Sequence, residues 1–81
     1  MKFKLNQYLY YVCPYVFTIG VVFISFSDVI DGVVHYVEET GAYLAEDCLA
    51  LTLQEARDLA VRKLNTFYDK KIKEINDEVI I

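Results

Sequence analysis

Through the first half of the chain, apolar side chains alternate with a period of two; in the second half they recur every three or four residues. Strands therefore come first and a helix follows. Phe3 to Val12 reads as a first strand, with Tyr8, Tyr10 and Val12 on one face and Leu9 and Tyr11 on the other. Because both faces are aromatic or aliphatic, such a strand needs cover on two sides, and a packed helix supplies the outer cover. Val16 to Phe26 reads as a second strand in which Ile19, Val21 and Phe23 alternate with Gly20, Val22, Ile24 and Phe26; Gly20 is the expected site of a bulge or bend. Ser27 and Asp28 begin the exit. Asp31-Gly32 turns the chain into a third strand, Val33 to Glu38, and Thr40-Gly41 turns it into a fourth, Ala42 to Ala45. After the polar step Glu46-Asp47-Cys48, Leu49 to Leu51 gives a fifth.

Thr52-Leu53-Gln54-Glu55 is a capping box, in which the Thr side chain accepts the orphan amide three residues on and Glu55 reaches back to the Thr52 amide. The helix it opens carries Leu53, Ala56, Leu59, Ala60, Leu64, Phe67, Tyr68, Ile72 and Ile75 at the spacing of a single face. Asp58 with Arg62, and Asp69 with Lys73, support the wet side. Running from Leu53 to near Asp77, it spans roughly 37 Å at 1.5 Å per residue. A barrel of such short strands is only about 20 Å across. The far end of the helix therefore overhangs, and Phe67, Tyr68, Ile72 and Ile75, continued by Val79, Ile80 and Ile81, are expected to form an interface with a second copy or a partner helix.

The charge-free run from Tyr8 to Ser27 admits two other readings. It has the length of a membrane span and Lys2 and Lys4 on its amino side, and the same layout resembles a secretory signal with small residues Ser25 and Ser27 near its end. Residue type decides for strands. Tyr, Val, Ile and Phe dominate, Leu9 is the only Leu, no Ala occurs, and Pro14 punctuates the run where it would kink a helix.

Eighty-one residues make one domain, 1–81, with a β-barrel over 1–51 and a helix over 52–78. The net charge of −4 opposes non-specific nucleic-acid binding. Its distribution is uneven: seven acids and no Lys or Arg lie between Asp28 and Glu55, whereas six of the eight bases lie at Arg57 or later. Cys13 and Cys48 form no C-x-x-C pair and read as buried reduced thiols of a cytoplasmic protein. Neither metal nor other cofactor is implied.

The strand order, the segments YLYYV and TIGVV, and the junction E-D-C-L-A-L-T-L-Q-E-A resemble small SH3-like barrel proteins with a C-terminal helix, uncharacterised, from bacteria and their phages. The resemblance spans about Leu5 to Ile75, with Asn6-Gln7 standing where typical members have Gly-Asp. It implies an α+β fold, a small five-stranded antiparallel SH3-like barrel followed by one long helix, and carries no catalytic motif.

Enzyme signals are sparse. His35 is the only histidine, no phosphate loop is present, and a pairing of His35 with Cys13 or Cys48 is the one conceivable dyad. The paired acids Glu38-Glu39 and Glu46-Asp47 read as solvated turns. Tyrosines concentrate beside the acidic block, and tyrosine offers contact area with a hydroxyl. Tyr36, Tyr43, Glu46 and Asp47 are accordingly the candidate binding residues for a basic protein partner. The expected function is a non-enzymatic protein–protein interaction module, its helix serving dimerisation or docking. The alternatives are an acidic phage-type inhibitor that blocks the nucleic-acid site of a host factor, and a small membrane-anchored protein.

Overall fold

The computed structural model describes residues 2–78 and has five strands followed by one helix: β1 (Gln7–Val12), β2 (Ile19–Ile30), β3 (Val33–Glu38), β4 (Tyr43–Ala45), a single 3-10 turn (Glu46–Cys48), β5 (Leu49–Ala50) and α1 (Leu53–Glu78). Val79, Ile80 and Ile81, expected to prolong the apolar overhang, lie outside the described residues. All pairings are antiparallel, in the order β4-β3-β2-β1-β5.

The edge strands β4 and β5 are not paired with each other, so the expected barrel is an open sheet. It is nevertheless strongly curled. Lying flat, five strands would set their edges about 19 Å apart, yet β4 and β5 are joined by a three-residue turn. Leu44 of β4 and Leu49 of β5 accordingly meet in one core with Phe3, Leu9, Ile24 and Tyr36. Leu5, Tyr11, Val22 and Val34 complete this inner cluster.

Strand limits differ from the expected ones for local reasons. β1 starts at Gln7 because Asn6 takes a left-handed φ of 60°, which ends the extended chain and turns Phe3 inward. β2 starts at Ile19 because Phe17 also has positive φ, 61°, inside a tight loop closed by Phe17 N–H donating to the Cys13 carbonyl and Cys13 N–H to that of Thr18. At the other end β2 runs through the expected exit to Ile30. Asp31 and Gly32, at φ 52° and 78°, form a two-residue turn of the kind that matches strand twist, and pairing continues to Ile30 with Val33.

Gly20 is a regular partner of Tyr11, with nothing close to it, and is not the bulge. The register shift falls between Ile24 and Phe26, at Ser25. One extra residue there flips the alternation: Ile24 points into the core, while Phe26, expected on the same face, pairs with Val37 and points outward.

α1 lies across the outer face of the sheet at one end. Ala56, fully buried, seats against Val12 and Ala50, with Tyr10, Ile19, Leu59 and Ala60 around them. β1 is thus covered on both sides at Val12 and in part at Tyr10, whereas Tyr8, past the end of the helix contact, stays exposed on the outer face. The capping box forms in half. Glu55 N–H donates to the Thr52 hydroxyl at 3.1 Å, but the Glu55 carboxylate accepts from Leu51 N–H at 3.4 Å rather than from Thr52. At 1.5 Å per residue the 26-residue helix is about 39 Å long. The molecule measures 53 × 30 × 21 Å, so α1 overhangs.

Candidate functional site

Antiparallel pairing places directly opposed residues on one face, so the register reads out the outer surface row by row. Val12 with Ile19 lies under α1; Tyr10 with Val21 lies at its margin. Beyond the helix come Tyr8 with Phe23, whose rings meet edge to face at 5.0 Å, and past the bulge Phe26, Val37 and Tyr43 side by side across three strands. Val37 is buried between its neighbours, but Tyr8 is 70% exposed, Tyr43 49% and Phe26 47%. An aromatic band therefore runs bare along the outer face. Asp28, paired with His35, continues the face towards the β2–β3 turn, where Val29, Ile30 and Val33 are also exposed.

The four candidate binding residues do not converge on this band. Tyr43 belongs to it. Tyr36 is fully buried on the opposite face, where its hydroxyl donates to Glu46 Oε2 at 2.7 Å and accepts from Phe3 N–H at 3.0 Å. Glu46 Oε2 also accepts from Lys2 N–H at 3.1 Å, so Tyr36 and Glu46 form an internal latch on the amino end. The Tyr36 hydrogen bond, and next the Lys2 amide, hold the Glu46 carboxyl below the usual glutamate value; burial, then the bond to Glu46, pushes the Tyr36 phenol up. Asp47 is exposed and sits 3.9 Å from Lys63 of α1.

The seven acids from Asp28 to Glu55 are dispersed. Asp28 accepts from Val29 N–H, Asp31 is in the hairpin turn, Glu38 holds the Thr40 hydroxyl, and Glu46, Asp47 and Glu55 face the latch, the helix and the cap. They fall on the β2–β3 hairpin, at the β3–β4 turn, where Glu39 follows Glu38, and around the 3-10 turn and the helix cap. His35 Nδ1 lies 3.0 Å from the Val33 carbonyl, while Cys48 is buried with its Sγ 3.5 Å from Asp47 Oδ1, so the hydrogen-bond partners of His35 and Cys48 are not each other. Burial pushes the Cys48 thiol up. Among the described residues no cluster of three or more His, Cys, Asp and Glu side chains could hold a metal ion, and no helix is long and apolar enough to cross a membrane.

The four interface candidates also separate. The Phe67 ring packs edge to face on Phe17 at 5.6 Å, anchoring the β1–β2 loop to the helix, and Tyr68 lies 6.4 Å from Phe67. Tyr68, Ile72 and Ile75 are exposed beyond it.

Phe26 and Tyr8 are the site residues that the sequence pattern did not single out. One signal could have found Phe26: counting faces backward from the Asp31-Gly32 hairpin gives the opposite answer, at Ser25, to counting forward from β1. Such a conflict marks a bulge.

No protein-family model, curated protein or solved structure matches the chain.

Proposed function

We propose that the chain is a non-enzymatic protein–protein interaction module, a small SH3-like barrel in architecture, whose outer sheet face takes a basic segment of a protein partner and whose helix serves dimerisation or docking. The observation that carries this is the bare aromatic band of Tyr8, Phe26 and Tyr43 on a sheet whose third and fourth strands and turns hold acids and no Lys or Arg. Aromatic faces give contact area to aliphatic stems and cation–π contact to Lys and Arg heads, and Asp28 on the same face and Glu39 on the β3–β4 turn supply the opposite charge. Free Cys13 and Cys48 suit a reducing compartment such as the cytoplasm.

The test is an NMR titration with a Lys/Arg-rich peptide and with an acidic peptide of equal length. The basic peptide is expected to shift the resonances of Tyr8, Phe26 and Tyr43 and to bind more weakly as salt rises. Joint Phe26→Ala and Tyr43→Ala substitution is expected to weaken it about tenfold. Equal responses to both peptides, or shifts confined to α1, would refute the sheet-face assignment.

A further inference from the structure

α1 carries a second stripe. Ala56, Leu59 and Ala60 face the sheet, and Phe67 faces the β1–β2 loop. At 100° per residue, Val61, Asn65, Tyr68, Ile72 and Ile75 lie about 140° round the helix from them. The steps between these five are four, three, four and three residues, the a/d spacing of a coiled-coil seam, with Val61, Tyr68 and Ile75 at d and Asn65 and Ile72 at a. The four apolar members are each between 55% and 57% exposed, and Asn65 is exposed too. Apolar residues expected to share one face thus belong to two, and only one is used within the chain.

Resting on the helix-pairing part of the function proposed above, we propose that the seam is covered by α1 of a second copy, with the two helices parallel. The occupant follows from Asn65. One amide in an otherwise apolar seam is costly unless another amide meets it at the same level. In a parallel pair about a twofold axis every seam position faces its own counterpart: Asn65 meets Asn65, and Tyr68, Ile72 and Ile75 each meet themselves. An antiparallel pair that sets Asn65 against Ile75 leaves the amide without a partner and brings Lys71 against Lys71 and Asp69 against Asp69. The seam points away from each copy's own sheet. Pairing therefore leaves both aromatic bands open and makes the dimer bivalent towards a basic partner.

Sedimentation of the full chain from micromolar to millimolar concentration tests this. The expected result is a dimer that becomes a monomer on Ile72→Glu, with the far-ultraviolet circular dichroism unchanged because Ile72 touches nothing in its own chain's core. Orientation is read by Asn65→Cys in a Cys13→Ser, Cys48→Ala background: oxidation is expected to link the two copies through residue 65. The same link, located by mass spectrometry with the native cysteines retained, guards against loss of fold in that background. A monomer at millimolar concentration, or a dimer that survives Ile72→Glu, overturns the seam; a dimer lost on Ile72→Glu that gives no link at residue 65 overturns the parallel arrangement. Titrating the basic peptide into the Ile72→Glu monomer separates the two proposals. The sheet face is expected to bind there as before, and lost binding with an intact seam in the parent chain counts against the sheet face alone.

Discussion

Tyr36 has a core environment on every side, and its hydroxyl accounts for the polar contacts that hold Phe3 and, through Glu46, Lys2. Tyr36→Phe would leave the buried Phe3 N–H without an acceptor, at a cost of about 1–3 kcal/mol in urea unfolding. Glu46 links this latch to pH. Folding favours its carboxylate, so its contribution is complete above the ordinary glutamate pKa of about 4.3 and is lost as pH falls through the lower folded value. Glu46→Gln is therefore expected to flatten the fall in Tm below about pH 4. Parallel acid limbs for the two proteins would rule this out. The burial that made Tyr36 a poor binding candidate is invisible in an alternating pattern, since Val33, His35 and Val37 present an equally apolar opposite face.

The elements were legible where a turn or a cap punctuates them, and less so where a single residue changes direction. The Asp31-Gly32 turn and the Thr52 cap fixed β3 and the start of α1. Thr52→Ala is expected to cost about 1 kcal/mol, read as a lower Tm, because one helix amide loses its acceptor. The left-handed Asn6 and Phe17 and the extra residue at Ser25 carry no such signal, so the ends of β1 and β2 and the side taken by Phe26 escaped the pattern. Phe17 is a bulky side chain in a conformation that favours glycine, and its ring on Phe67 is the tertiary contact that goes with it. Ala56 is the fully buried residue of α1, seated on Val12 and Ala50. Ala56→Leu is expected to overpack that seat and cost about 1–3 kcal/mol by denaturant unfolding.

At the scale of the molecule, α1 divides into a half that completes the core and a half that extends past it. A chain ending at Asp69 keeps the Ala56, Leu59, Ala60 and Phe67 contacts, and its Tm is expected to stay within a few degrees of the full chain's when both are monomeric. A chain ending at Leu51 strips Val12 and Ala50 of cover and is expected to lose cooperative unfolding. The curled sheet has a further consequence, for synthesis. Phe3 and Leu9 leave the ribosome before Tyr36, Leu44 and Leu49, whose core they enter, and β1 pairs with β5. Until β5 has been made, β1 has β2 as its only partner strand, and its aromatic flank is open to chaperones or to other nascent chains. The core closes only after Ala50 has left the exit tunnel, when the α1 segment, still inside or just outside it, becomes free to take its place on the outer face.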